Sequence, residues 1–401
     1  LGACSFLPAM LQEFDELIPR ENTACVKYDL REKTFGNSAV TPLWVADMDF
    51  ATPIFIREAI AERLTHPIFG YTFLSEEAKN AVVGWVKRQH GWDIKPEWIT
   101  LCPGIVPAIN VAILAFTNQG QKVAIQPPVY TPFFAAINDH RRTLVENPLI
   151  ANSDGYYQMN FDHLESLFAS GVKMLILSNP HNPVGRVFTK AELTTLAEMA
   201  MQHGATIISD EIHSDITMPP HRHTPLAAVN EGIAQQSITF IAPSKTFNLA
   251  GLSTGLAIIP NSDLRKKFGA TLSALHIGMG NIFGITAMQS AYTHGDEWVK
   301  SLNSYLYGNL ALVKQMLHDS QLPISANIPE GTYLSWVDFR GLKIAQEKLI
   351  QLLIQEANVG LSDGTIYGTQ GAGFMRLNAA CPRATLSDSL SRIVSAIKTR
   401  L

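Results

Sequence analysis

The sequence is short of extremes. No apolar run approaches the roughly 20 residues that cross a bilayer as a helix. No block of like charges marks a nucleic-acid groove or an anionic membrane surface. Charged residues make up only 16% of the chain, and the formal net charge is −4. No CxxC pair occurs. Cys4, Cys25, Cys102 and Cys381 stand far apart, which suits a reducing compartment better than a disulfide framework. No Lys or Arg precedes Arg20, so the charged region of a signal peptide is missing. With Leu as residue 1, the numbering need not begin at the native start. The expectation is a cytoplasmic protein that binds neither nucleic acid nor membrane. At 401 residues and 46% hydrophobic, two domains with a substantial core are affordable.

Between residues 98 and 260 short apolar runs alternate with helical patterns. Strands are expected at 98–102, 122–126, 143–148, 173–178, 205–209, 238–242 and 255–260. This alternation predicts an α/β fold with a mostly parallel sheet covered by helices on both faces. Thr189-Lys190-Ala191-Glu192 is a capping-box signature opening a helix that Gly204 ends. Thr52-Pro53 reads as a cap followed by proline at the first helical position. After about residue 285 the texture changes to one long helical region, kinked near Gly295, then a smaller α+β pattern. The expected organisation is an N-terminal segment (1–50) joining the small domain, a large α/β domain (51–285) and a small α+β domain (286–401).

The stretch ITFIAPSKTFNLAG, residues 238–251, organises the rest. Its strand stops at Pro243, and Lys245 follows at once. A lysine there lies in the crevice where open α/β sheets bind ligands. If partly desolvated, its amine becomes a nucleophile for carbonyls. Tyr130, Asn182 and Asp210 follow other strands at the same kind of position. Each has a plain explanation alone: a core ring, an Asx-turn, a helix cap. Together they would surround one ligand at one sheet edge.

Pyridoxal 5′-phosphate chemistry uses all four. Lysine forms a Schiff base, and a carboxylate keeps the pyridine nitrogen protonated so that the ring can take up electrons. Asn donates to the ring's phenolic oxygen, and an aromatic face stacks on the ring. The phosphate needs N–H groups at a helix start. Gly104-Ile105-Val106 offers one, and Ser244 adds a hydroxyl.

SNPHNPVG, SDEIHSD, APSKTFNLAGL and FMRLNAACPR stand in the order and spacing of fold-type I pyridoxal-phosphate enzymes, the class I/II aminotransferase superfamily, which the chain resembles from about residue 28 to its end. Within it, PLWVADMDF, FGYT, DEIHSD and RLNAACPR resemble the MalY/PatB subgroup of cystathionine β-lyase-like carbon–sulfur lyases. The resemblance implies that Lys245 is the Schiff-base lysine, Asp210 the pyridinium partner, Asn182 the ligand of the ring oxygen and Tyr130 the stacking ring. It implies that Ile105, Val106 and Ser244 bind phosphate, and that Tyr71 reaches the phosphate in a neighbouring subunit, hence a homodimer with shared sites. Arg376 matches the arginine that grips the substrate α-carboxylate, for which its planar fork is well suited; the Gly-rich loop before it, residues 364–373, is expected to be mobile. Two positions depart from ordinary aminotransferases. Ser253 stands where they carry a phosphate-binding arginine, and His213 where many carry tyrosine. Both changes are expected in the MalY/PatB subgroup, and they leave the phosphate with less cationic charge.

The expected activity is therefore β-elimination from a sulfur amino acid such as cystathionine or cysteine, yielding pyruvate, ammonia and a thiol. An aminotransferase is the runner-up, and an additional regulatory binding role stays open. Gly278-Met279-Gly280 with Gly284 lacks GxGxxG spacing, so no dinucleotide site is expected. His221-Arg222-His223 has no Cys or acid at ligand spacing, so no metal site is expected. Asp47 and Asp49 are expected to fix an active-site loop.

Overall fold

The computed structural model describes residues 13–400; Cys4 and the LGACSFLPAM stretch lie outside the described residues. After two helices, α1 (Ile54–Leu64) and α2 (Glu76–His90), the chain enters the strand–helix alternation. It runs β1 (Ile99–Cys102), α3 (Ile105–Phe116), β2 (Lys122–Ile125), α4 (Pro132–Asp139), β3 (Thr143–Glu146), α5 (Phe161–Ala169), β4 (Met174–Ser178), α6 (Lys190–His203) and β5 (Thr206–Asp210). Then come β6 (Ser237–Ile241), β7 (Gly255–Ile258) and α7 (Ser262–Ala274). The strands form one seven-stranded sheet in the order β1-β7-β6-β5-β4-β2-β3. Neighbours among β3, β2, β4, β5 and β6 are parallel, and β7 runs antiparallel to both β6 and β1. Every residue of β4 and β6 is buried, as expected for strands covered by helices on both faces.

Local signals account for several boundaries. Thr189 and Glu192 close the expected capping box on α6, and Gly204 ends that helix in the left-handed region. The long helical region is two helices, α8 (Ile282–His294) and α9 (Asp296–Asp319), parted at Gly295. A Cβ on Gly295 would come within 2.4 Å of the Phe247 ring and of the Ala291 carbonyl, so only glycine fits. The start of α1 differs from expectation. Pro53, not Thr52, occupies the cap position, and Thr52 Oγ1 instead donates to the Asn248 carbonyl at 3.3 Å. A tertiary partner has taken the hydroxyl from its local role.

The C-terminal part carries β8 (Leu334–Asp338), α10 (Gln346–Gln355), β9 (Phe374–Asn378) and α11 (Arg383–Arg400). The short strands Ser325–Ala326 and Ser362–Asp363 flank β8 and β9 in an antiparallel four-stranded sheet. Thr41–Pro42 pairs with Val359–Gly360, tying the N-terminal stretch to this region. The Gly-rich stretch expected to be mobile is wound into two 3₁₀ turns, Gly364–Tyr367 and Thr369–Gly371. A Cβ on Gly371 would fall 1.8 Å from the Gly364 carbonyl, so the two turns are packed against each other. No helix among the described residues is long and apolar enough to cross a membrane.

Candidate active site

The carboxyl ends of β2, β4, β5 and β6 open onto one cavity of about 530 Å³. Gly104, Ile105, Val106, Tyr130, Asn182, Asp210, His213, Ser244, Lys245 and Arg376 all line it. Ser253 lines it as well. Tyr71 does not: it is 96% exposed on the surface.

Lys245 sits on a single helical turn, Pro243–Thr246, directly after β6. Its Nζ donates to the Ala46 carbonyl at 2.6 Å. Burial, then the nearby Arg376 charge, pushes its amine down to about 8, against the opposing pull of Asp47 and Asp210. The turn is held from behind. Thr246 Oγ1 donates to Asp215 Oδ2 at 2.8 Å, and Asp215 Oδ1 also meets Trp85 Nε1 at 3.1 Å and His90 Nε2 at 3.0 Å. The arrangement delivers an amine with a much larger neutral fraction near physiological pH than a solvated lysine has.

Asp210 ends β5, with its Oδ1 accepting from the Ile212 N–H at 3.1 Å. Burial pushes the carboxyl up to about 7, while the Ile212 N–H and Lys245 pull it down. A cation or protonated ring nitrogen placed beside it would return it to the charged form. The neighbouring Glu211 is spent on structure. It accepts from Ser209, the Leu226 N–H and His223, and His223 of the HRH stretch is thereby a buried structural partner.

Arg376 lies on β9, opposite Trp336 of β8. Its guanidinium donates to the Trp44 carbonyl at 2.7 Å, to Asn182 Oδ1 at 3.2 Å and to Ser362 Oγ at 3.3 Å, and it stands over the Tyr367 ring. This fixes the plane of the fork. It also fixes Asn182, whose Oδ1 is committed, so that Nδ2 is the group left to donate. Arg376 Nε and His213 Nδ1 are buried without a protein partner. Such donors and acceptors are costly unless a ligand meets them. Burial, with the charges of Lys245 and Arg376, holds the His213 ring well below the usual imidazole range.

At the other end of the cavity Gly104 turns the chain into α3 with φ 117°, in the region that glycine alone occupies freely. The first N–H groups of α3, those of Ile105 and Val106, have no intrahelical acceptor and carry the positive end of the helix dipole. Ser244, Ser253 and Thr254 add hydroxyls nearby. Among the described residues, Lys245 and Arg376 are the only Lys or Arg side chains in the cavity wall. The donor set suits a ligand with an electrophilic carbonyl, a basic ring nitrogen and an anionic group.

How the PLWVADMDF stretch is held is not visible in its local sequence. The carbonyls of five successive residues, 44 to 48, each accept from a side chain. The donors include Arg376 and Ser362 to Trp44, Asn378 to Val45 and Asp47, Lys245 and Tyr333 to Ala46, Lys27 to Asp47, and Asn248 and Arg20 to Met48. Asp47 and Asp49 anchor this stretch through ion pairs. Arg20 bridges both at 2.8 and 2.6 Å, and the fully buried Lys27 pairs with Asp49 at 2.9 Å. Trp44, Ala46, Ser362 and Tyr367 also line the cavity. Nothing local in the sequence marks them, because each is brought in by pairing with a distant element.

The family model of class I and II aminotransferases matches residues 39–393. Cystathionine beta-lyase PatB of Bacillus subtilis is 42% identical over 96% of this chain and 99% of its own length. Protein MalY of Escherichia coli is 32% identical over the same shares. Among solved structures, cystalysin of Treponema denticola, which contains a pyridoxal 5′-phosphate cofactor, matches with a TM-score of 0.94 and 37% identity over 97% of this chain and 99% of that one. The cavity thus sits in a chain whose sequence and backbone agree with one family over nearly their whole length: the protein belongs to the class I and II aminotransferase family.

Proposed function

We propose that this protein is a pyridoxal-phosphate-dependent carbon–sulfur β-lyase that cleaves cysteine-type amino acids bearing a sulfur leaving group on Cβ. The observation that carries the reading is one cavity holding a desolvated amine pushed down to about 8, a buried carboxyl one strand away and a single arginine fork. The name of PatB as a cystathionine beta-lyase and the serine and histidine at 253 and 213 support lyase over aminotransferase chemistry.

The residues fit pyridoxal phosphate. Lys245 would hold its aldehyde carbon, Asp210 its ring nitrogen, Asn182 its phenolic oxygen and Tyr130 its ring face. Ile105, Val106 and Ser244 would take the phosphate, and the unpartnered His213 nitrogen lies in the same wall. When bound, the cofactor supplies an electron sink for the charge left on Cα. The protein's own residues do the rest. Arg376 holds the substrate carboxylate and so fixes the direction of the Cα–H bond. Lys245, with its amine free, would remove the Cα proton at Nζ. Asp210, charged beside the ring nitrogen, stabilises the electron flow. The Cβ–S bond breaks, the sulfur leaves as thiolate and takes a proton, and water converts the remaining fragment to pyruvate and ammonia.

The same proposal includes a homodimer with shared sites, in which Tyr71 reaches the partner's phosphate. Its support is the exposure of Tyr71 on a stretch where Ile68, Phe69 and Phe73 are also exposed, together with a phosphate end poor in cations. A cytoplasmic setting, supported by the free thiols of Cys25, Cys102 and Cys381, completes it. The test is incubation of the holoenzyme with L-cystathionine and no 2-oxo acid. Equal release of pyruvate and thiol over many turnovers is expected. Amino-group exchange that requires a 2-oxo acid, with no thiol released, would overturn the lyase reading.

A further inference from the structure

The Ala46 carbonyl has two donors. Lys245 Nζ approaches at 2.6 Å and Tyr333 Oη at 2.9 Å. A carbonyl oxygen has two lone pairs, so these two donors fill it. Neither the oxygen nor the hydroxyl has room to adjust. The carbonyls on either side of Ala46 are held by Asn378 Nδ2 at 2.7 and 2.6 Å, and Tyr333 is fully buried, its ring edge-on to His213 at 5.8 Å. Tyr333 does not line the cavity, so whatever it does to the reaction it does through Ala46.

We propose that Tyr333 is a positioning residue for the base: by sharing the Ala46 carbonyl with Lys245, it limits how tightly that carbonyl holds the lysine as an ammonium and so keeps the amine ready to take and release protons. The inference rests on Lys245 being the base proposed above. The carbonyl is the acceptor available to Nζ once the amine has left the cofactor and picked up a proton. An acceptor already polarised by a second donor stabilises the ammonium less than one left to it alone. The other charged and titratable groups about this spot are Asp47 beside the carbonyl, Asp210 and His213 after β5, Arg376 on β9 and Tyr130 after β2. None of them bonds to the Ala46 oxygen, so the Tyr333 hydroxyl can be removed without removing them.

Tyr333→Phe deletes only that hydroxyl. In the full-length chain stripped of cofactor, competitive acetylation of Lys245, read by peptide mass spectrometry across pH, gives the amine's midpoint directly. The expected midpoint in Tyr333→Phe is about one pH unit higher, the size of a hydrogen bond gained by a charged group. The acidic limb of kcat for L-cystathionine should move the same way, with KM changed less than about 2-fold and kcat near pH 7.5 about 10-fold lower. Incorporation of 3-fluorotyrosine at 333, a stronger donor of the same shape, should move the midpoint down. An unshifted midpoint in folded Tyr333→Phe, or shifts of the same sign in both variants, would overturn the inference. Failure of the underlying reading looks different: Lys245→Ala would then keep the holoenzyme's absorbance and turnover.

Discussion

Thr246 donates its hydroxyl to Asp215, and that bond lies one residue along from Lys245. The same Asp215 side chain meets the buried Trp85 and the nearly covered side chain of His90. Asp215→Ala would strand these groups in the core. Each unsatisfied buried group costs about 1–3 kcal/mol, so a loss of roughly 3 kcal/mol or more in unfolding free energy is expected by denaturant titration. Thr246→Val removes one of the bonds and should cost about 1 kcal/mol.

Lys245→Ala should abolish the absorbance of the lysine–cofactor linkage and lower turnover at least about 10³-fold, since nucleophile and base are lost together. Steady-state assay with L-cystathionine, alongside the absorption spectrum, checks both. Retained turnover would exclude the assignment.

Arg376→Lys keeps the positive charge but not the fork that Trp44, Asn182 and Ser362 hold in plane. Loss of one charge-assisted bond to the carboxylate should lower kcat/KM by about 10–100-fold, mostly through KM. A fall in kcat alone would argue that Arg376 does not bind ground-state substrate.

Asp210 and Lys245 give the cofactor-free protein a pH signature. The Asp210 carboxyl is raised from 3.8 to about 7 in the fold, so between those values the native state binds the extra proton and stability falls as pH rises. Lys245 is lowered from 10.5 to about 8. There the unfolded state binds the extra proton, and stability recovers as pH climbs from 8 to 10.5. Asp210→Asn should therefore stabilise the cofactor-free protein above pH 7, with the difference vanishing below pH 4, in thermal melts. In the holoenzyme the same substitution should cut kcat by about 10²-fold, by loss of the charge opposite the ring nitrogen.

The proposed homodimer with shared sites predicts complementation. Lys245→Ala and Tyr71→Ala homodimers should each be impaired. Mixed after partial unfolding and refolding, they form heterodimers with one site carrying both native residues. Activity should rise above that of either parent, and a flat response would exclude a contribution of Tyr71 across an interface.

Much of the site was legible because strand ends announce themselves. Lys245 follows a β-branched run stopped by Pro243, Asp210 closes TIISD, and Asn182 follows MLILS. These positions converge whenever the strands are parallel neighbours, and here they are. What was hidden depends on distance along the chain. Lys245 and Ala46 are 199 residues apart, and no local pattern links them. The reversal of β7 was likewise invisible, because a short apolar strand reads the same in either direction. Thr52 failed as a cap because Asn248, far along the chain, offered its hydroxyl another partner.

The loop around Ala46 has no regular backbone structure of its own. Its shape is held by side chains from positions as distant as 20, 27, 245, 248, 333, 376 and 378. Contacts so far apart carry a large loop-closure cost and form only after the pieces that present them. This wall of the cavity is therefore among the last parts of the molecule to take shape during folding. A nascent chain that has completed the seven-stranded sheet, but not yet Tyr333, Arg376 and Asn378, holds Lys245 and Asp210 on their strand ends without the wall that faces them, and the cavity closes only when roughly the last sixth of the polypeptide has docked.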